Sequence, residues 1–430
     1  MSIDPSPPVG LSNQPAPGPN PPGENLLLTT RSGGASADLV LRVLTAGAAV
    51  VILLMLGGLI AVLTHAAMPS IKTYGWSFIT STQWRPNEIE RPKRDANGKI
   101  VFDADGERVM ETLPPTFGAA NVIYGTAVSS VIALLFAVPL SLGAALFLVR
   151  ISPELPRLLN LCIYAGVGAA VFLTIVWASG FRLGGYAIGL PVGAAVALTL
   201  IRFVPNLTTS VSFLIEFLAA IPSIAYGLWG LFVMTPFLQG KLEPFFQSTL
   251  GHLPGFGWLF EQTTTIAGKS QLVPIPLTGR DMFAGGLILG IMIVPIITAI
   301  SRDVLRAVPR AQVEGTTALG ATWWQSSKEM LKYSRAGLFG AIMLGLARAA
   351  GETMAVTMVI GNKNQIVASP FAPAQTMSSL LANEFAEVTN ELHRSSLIQV
   401  ALVLLVMSLA FNVIARWLVV GKQSRSAAAH

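Results

Sequence analysis

Eight runs of mostly apolar residues punctuate the chain: Val43–Thr64, Val122–Val149, Leu158–Ser179, Gly184–Ile201, Val211–Met234, Met282–Ile300, Ala336–Ile360 and Leu397–Val419. Each is close to the roughly 20 residues a helix needs to cross a ~30 Å hydrocarbon layer. Apolar positions are continuous within a run rather than alternating, which predicts helices and disfavours a β-barrel. Proline falls inside four runs, at Pro139, Pro191, Pro222 and Pro295. Each is a candidate break, tolerated in a membrane bundle where neighbours or water satisfy the freed backbone groups.

Composition makes lipid the expected solvent. Hydrophobic residues make up 52% and charged ones 12%, with mean hydropathy +0.62, whereas a soluble domain carries roughly 25% charged side chains. The net charge of +6 does not point to nucleic acid, because the basic residues sit in short segments between apolar runs. With the N-terminus in the cytoplasm, Arg150, Arg157, Arg202, Arg302, Arg306, Arg310, Lys328, Lys332, Arg335, Arg416, Lys422 and Arg425 fall on the inside, as the positive-inside rule requires; the outer loop after the first span is the exception, its seven basic residues balanced by seven acidic ones and its length weakening the rule there. An even number of spans with both termini cytoplasmic, in a bacterial inner membrane, is the expected topology.

The organisation follows from these segments. The expected division is a disordered Pro-rich cytoplasmic tail over residues 1–38, the first transmembrane helix at 39–65, an external polar loop at 66–118, the helical core at 119–420 and a cytoplasmic tail at 421–430. A secretory leader does not fit, since the first apolar run starts late and is long. Within the loop, residues 91–111 hold Asp95-Ala96-Asn97-Gly98 and Asp105-Gly106, which predict a small β-hairpin or turn pair.

Several chemistries are disfavoured. Cys162 is the single cysteine and the four histidines (His65, His252, His393, His430) are scattered, so no metal ligand set and no cofactor is expected. The Gly-x-x-x-x-Gly-Lys-Ser/Thr loop that would cradle ATP is missing. Neither paired catalytic carboxylates nor a Gly-x-Ser-x-Gly turn lies in the spans, so the chain is not expected to be an enzyme.

Two segments carry positive chemistry. Glu314-Gly315-Thr316-Thr317-Ala318-Leu319-Gly320 lies between the sixth and seventh spans. It resembles the Glu-Ala-Ala-x-x-x-Gly motif of ABC-importer permeases, with Gly315 and Thr316 in place of the two alanines and without the later Leu-Pro pair. A short helix broken at Gly320 is expected there, where a partner protein could grip it. The second segment is Gly345-Leu346-Ala347-Arg348-Ala349-Ala350-Gly351-Glu352-Thr353-Met354-Ala355-Val356. It resembles the signature helix of the phosphate-specific ABC transporter permeases of the PstC type, as do the 216–230 stretch around Ile221-Pro222-Ser223 and Ile291–Pro295 leading to Ser301-Arg302-Asp303.

The resemblance implies an all-α, polytopic transmembrane helical bundle of the type I ABC-importer permease class. It would have about eight spans, including an inserted two-helix hairpin over residues 158–204. It also implies a non-catalytic subunit that imports inorganic phosphate with a sister permease, two ATP-binding ABC subunits and an extracytoplasmic phosphate-binding protein. Glu314, Gly315, Thr316 and Gly320 would couple to the ATPase through the 302–335 loop. Arg348, Glu352, Thr353 and Glu216 would line the substrate path. Arg348 and Glu352, four apart on one expected helix face, could form an ion pair among the small residues Gly345, Ala349 and Gly351. That pair either fixes helix register or meets a passing oxyanion, since a guanidinium offers a fixed fork of donors. Glu216 either joins the path or pairs with a basic residue at the inner surface. Another oxyanion (phosphonate, sulfate, molybdate) and a membrane scaffold or sensor in phosphate signalling are the competing functions.

Overall fold

The computed structural model describes residues 34–92, 109–151, 157–178, 183–203, 207–251, 253, 256–266, 269–388 and 390–427. The Pro-rich tail through residue 33 and the turn sequences at 93–108 lie outside these. By its internal contacts the chain divides at Ala61/Val62. The first unit contributes the start of α1 (Gly34–Tyr74). There Leu41, Leu44, Ile52, Leu53, Leu54 and Met55 are all exposed, an all-round apolar surface that suits lipid rather than water.

The second unit begins with the rest of α1, followed by α2 (Ser77–Thr80), α3 (Ala120–Leu146), the hairpin α4 (Arg157–Ala178) and α5 (Leu183–Phe203), then α6 (Leu207–Ala220) and α7 (Ser223–Trp229). Next come α8 (Thr235–Phe237), α9 (Glu243–Leu250), α10 (Met282–Arg306), α11 (Arg310–Ala318) and α12 (Trp323–Tyr333). The series ends with α13 (Arg335–Gly351), α14 (Met354–Val359), α15 (Met377–Glu384) and α16 (Glu391–Ala427). Two small antiparallel hairpins complete it: β1 (Ile89–Pro92) with β2 (Met110–Leu113), and β3 (Glu261–Ile266) with β4 (Lys269–Pro274). The first pairs the two ends of the 91–111 segment, whose expected turns lie outside the described residues. The second, in a Thr-rich stretch between the fifth and sixth apolar runs, was not anticipated.

Among the described residues, four helical stretches are long and apolar enough to cross a membrane: Leu39–Tyr74, Ala120–Ile151, Met282–Arg306 and Glu391–Val413. A fifth is bent by 93° between α6 and α7. The remaining apolar runs are the α4–α5 hairpin and the α13–α14 pair. In the hairpin, Gly168 and Gly193 press against each other's carbonyls, a mutual approach that a Cβ on either would prevent.

α10 is the axis of the second unit. Leu289, Ile293 and Ile297 form one cluster with Ala133 and Ala137 of α3, Ala341 and Ala349 of α13, and Val356 and Ile360. Ala284, Ile288 and Met292 form another with Tyr226, Ala355 and Val359. Ser70 in the C-terminal part of α1 donates to Gln399 Oε1 of α16 at 2.6 Å and lies 3.0 Å from Ser396 Oγ, a polar tie of the kind that joins membrane helices. On α3, Gly125 lets the Gln375 backbone pass so closely that a Cβ would fall on its carbonyl, and Thr126 Oγ1 accepts the Met377 amide at 2.9 Å.

Only one of the four prolines breaks its run. Pro139, Pro191 and Pro295 lie inside continuous helices α3, α5 and α10. At Pro222 the chain turns extended (φ −58, ψ 139) and the helix stops. A helix would have carried an amide from residue 222 to the Leu218 carbonyl, and proline has none. The Tyr226 hydroxyl donates to that carbonyl instead, at 2.7 Å.

Two outcomes follow for the purified chain in detergent. Gly125→Val should lower thermal stability by at least the 1–3 kcal/mol typical of overpacking, whereas Gly143→Ala, with nothing within 4 Å, should leave the melting curve in place. Tyr226→Phe should cost about 0.5–1.5 kcal/mol, because it removes the shorter of the carbonyl's two bonds, leaving the 3.4 Å bond from the Ile221 amide, without changing side-chain shape; an unshifted melt would show that the break needs no such tie.

Candidate functional site

The segment expected to form one helix through Ala336–Ile360 does not. α13 ends at Gly351, Glu352 is extended (φ −70, ψ 129), and α14 starts at Met354. This corrects both the continuous seventh span and the expected i,i+4 pair. Arg348 lies on α13, Glu352 lies beyond its last turn, and no ion pair joins them among the described residues. The reason is local: the chain leaves helical geometry between the two side chains, so the four-residue spacing no longer places them on one face.

The two residues part company. Glu352 turns inward and is only 7% exposed. Its Oε1 accepts the Ala355 amide at 3.4 Å, and its own carbonyl accepts the Ser378 hydroxyl at 2.7 Å. Arg348 is exposed, on a strip it shares with Leu344 and Gly351. Among the described residues its guanidinium has neither a hydrogen-bond nor an ion-pair partner. Thr353 sits within the break, and its carbonyl accepts both the amide and the hydroxyl of Thr357, at 3.1 and 2.6 Å. Of the small residues, Gly345 receives the Ile297 side chain and Ala349 is buried, whereas Gly351 meets nothing within 4 Å.

The two interrupted helices meet. Gly227 of α7 packs on Ala355 and Met358 of α14, and the adjoining π-helical turn starts at Gly230, which packs on Val359. So the segment that follows the Pro222 break lies against the segment that follows the Gly351–Thr353 break. α15 closes over the latter through Ser378, itself 3.2 Å from Thr376 Oγ1. Gln375, Thr376, Ser378 and Ser379 are all buried. Nothing in their polar sequence marked them as anything but an outer loop, and only the fold brings them to the break. Glu216, on α6, is held elsewhere: its Oε1 lies 3.4 Å from Arg302 Nη1, and Arg302 also binds Asp303 at 3.0 Å.

The second candidate region is the helical hairpin α11–α12. α11 carries Glu314, Gly315, Thr316 and Thr317 and stops as expected at Gly320. Gly320 has φ +80, the Gly320 amide donates to the Thr317 carbonyl and the Ala321 amide to the Thr316 carbonyl, a Schellman ending. Thr322 and Gln325 then cap α12 reciprocally. Glu314 and Gly315 are exposed, and Leu319 at the tip is 90% exposed. Thr316 is partly buried and its hydroxyl lies 3.0 Å from that of Ser326, to which Arg150 also donates at 3.5 Å; Arg150 further sits over the Trp323 ring. Ser326, Trp323 and Arg150 therefore fix the hairpin. The motif pattern drew attention to Glu314 and Gly320 but not to these three. A cavity of about 330 Å³ lies between the two helices, walled by Thr316, Ser326, Met330 and Tyr333.

Among the described residues no cluster of histidine, cysteine, aspartate and glutamate is arranged to hold a metal ion. Residues 189–421 match the binding-protein-dependent transport system inner membrane component family. Among curated proteins, the chain is 34% identical to the phosphate transport system permease protein PstC of Mesorhizobium japonicum, over 92% of this chain and 93% of the relative. It is 32% identical to the protein of that name from Haemophilus influenzae, over 88% and 92%, and 29% identical to PstC 2 of Mycobacterium tuberculosis, over 88% and 89%. With the family matched over more than half of its length and a relative alike along nine-tenths of it, the chain belongs to the binding-protein-dependent transport system inner membrane components, among the PstC-type permeases.

Proposed function

We propose that this chain is one of the two membrane subunits of an ATP-driven importer that carries inorganic phosphate into the cell. Its curated relatives bear the name of phosphate transport permeases, and the observation that carries the reading is Arg348. A charge at bilayer depth costs several kcal/mol unless it is paired or meets water. Arg348 is exposed and has no partner among the described residues, beside an interrupted helix. Such a group suits an ion path built at discontinuous helices, where a second permease would supply the opposite wall. Its five donors match an oxyanion, and an aqueous route keeps the encounter weak enough for release.

In this mechanism Glu352 acts by position. Buried and bound to the Ala355 amide and to Ser378, it holds the break open so that Arg348 stays on the exposed strip. Thr353 supports the same turn, and the Glu216–Arg302 pair ties α6 to α10. The α11–α12 hairpin, with Glu314, Gly315, Thr316 and Gly320, receives the ATP-driven motion from two ATPase subunits on the cytoplasmic face. A soluble phosphate-binding protein delivers substrate at the opposite face. Both termini are cytoplasmic, by the distribution of Lys and Arg between spans. α10 joins the two regions, with the hairpin beyond its Arg306 end and the break packed along its side.

In cells carrying the complete transporter, Arg348→Ala should reduce phosphate uptake to background while the partner subunits still co-purify. Arg348→Lys, keeping charge but losing the fork, should restore only part of it. Normal uptake in the Ala variant would defeat the proposal, and uptake of sulfate or molybdate in preference to phosphate would redirect it to another oxyanion. Gly320→Ala should strain the left-handed ending by about 1–2 kcal/mol and lower the phosphate moved per ATP hydrolysed; an unchanged ratio would remove the hairpin from the coupling route.

A further inference from the structure

At the opposite end of α10 from the α11–α12 hairpin lies a cavity of about 390 Å³. Its walls come from the turn before α10 and the loop after α14, and they include Arg280, Lys363, Thr278, Gln239 and Thr235. α10 has 25 residues, so this cavity and the hairpin are separated by roughly 37 Å of helix. No carboxylate lines it. Neither Arg280 nor Lys363 has an ion-pair partner among the described residues.

Both cations are carried on turns whose backbone is tightly determined. Gly361 and Asn362 take successive left-handed conformations, φ 90 and 49, a geometry that asparagine tolerates better than most residues. The Asn362 side chain donates to the Thr357 carbonyl at 2.7 Å, and the Lys363 amide donates to the Ala374 carbonyl at 3.2 Å. On the other wall Gly279, φ +67, lies against the Thr235 backbone, and its amide donates to Glu243 Oε2 at 3.3 Å. Thr235 is 5% exposed and its hydroxyl has no hydrogen-bond partner, a donor left idle at the cavity wall.

Beneath the Arg280 turn Glu243 and Asp281 are fully buried, and one oxygen of each, Glu243 Oε1 and Asp281 Oδ2, has no hydrogen-bond partner. No cation pairs with them among the described residues. Burial and the repulsion between neighbouring carboxyls both disfavour two negative charges there. Burial and the neighbouring Glu243 push the Asp281 carboxyl well above its ordinary range, against the opposing bond from the Ala284 amide. Two full negative charges would cancel Arg280 and Lys363, whereas a pair that resists double ionisation leaves the cavity positive.

We propose that Arg280 and Lys363 form a receiving site for a small phosphate-type oxyanion at the extracytoplasmic mouth, upstream of Arg348. The site rests on the importer reading above, which sets the direction of travel. Two unpaired cations on a concave wall concentrate anions: arginine supplies a fork and lysine a point charge. The site is shallow enough to release its ion onward, as conduction through successive sites requires.

The test uses the assembled transporter without its soluble binding protein, in detergent free of phospholipid. The line width of the ³¹P resonance of inorganic phosphate reports weak binding. Wild-type complex should broaden the line, the double variant R280Q/K363Q should reduce that broadening at least threefold, and the charge-keeping R280K/K363R should retain most of it. Equal broadening by wild type and R280Q/K363Q overturns the site. So does a wild type that leaves phosphate sharp yet holds an anionic phospholipid through purification that the double variant loses, since the ligand is then a lipid headgroup. ATP-driven phosphate uptake by the wild type, with binding protein in vesicles, is measured in parallel. Its absence defeats the importer reading, whereas intact uptake with unchanged line widths defeats the receiving site alone.

Discussion

A peptide group left unpaired in hydrocarbon costs several kcal/mol, so a membrane helix can be interrupted only where the chain provides a substitute partner. The breaks at Pro222 and at Gly351–Thr353 meet that condition with a hydroxyl. Tyr226 replaces the amide that Pro222 lacks, and Ser378 caps the carbonyl of Glu352 where α13 gives way to α14. The rest of the site depends on these bonds. With α13 continuous through residue 356, Arg348 and Glu352 would face each other and neutralise each other; with the chain extended at Glu352, the carboxylate is drawn inside and the guanidinium is left exposed.

α10 makes the two breaks one unit. Its apolar face supports α3 and α13 through Leu289, Ile293 and Ile297, and the segments beyond the breaks through Ile288 and Met292. The close contact of Gly227 with Ala355 and Met358 leaves no room for independent movement of those segments. The proposed coupling from the α11–α12 hairpin would thus have a packed route along α10 toward Arg348. The hairpin is itself rigid: a Schellman turn, a reciprocal cap and the Thr316–Ser326–Arg150 contacts hold it.

Much of this was legible in the apolar pattern, and the part that was not has identifiable physical causes. Helix content, the lipid-facing runs and the stop at Gly320 follow from periodicity, composition and turn chemistry, all local signals. The Pro222 break was legible only as one of four equal candidates. Pro139, Pro191 and Pro295 carry the same residue without the same outcome, and at Pro222 the freed Leu218 carbonyl is met by the Tyr226 hydroxyl, eight residues further along. The break at Gly351–Thr353 had no local marker at all. Gly351 alone does not end a helix, and the serine that stabilises the extended Glu352 comes from a segment 26 residues further along. The spacing of Arg348 and Glu352 therefore suggested a pair that the fold separates. Family membership was readable because the motifs around Ile221-Pro222-Ser223 and Gly351-Glu352-Thr353 lie where the breaks fall, even though their geometry was not.

The central claim is that Arg348 faces a water-filled path along which an oxyanion passes. Cys162 is the chain's single cysteine, so a chain with Cys162→Ser and Arg348→Cys carries one thiol at the position in question. The decisive measurement is the rate at which a membrane-impermeant, charged thiol reagent modifies that cysteine in the assembled transporter within sealed vesicles. Rapid modification, altered when ATP turnover moves the permeases, is the predicted result. A thiol that stays unreactive in every nucleotide state, while lipid-soluble reagents reach it, would place residue 348 against hydrocarbon or protein and contradict the account.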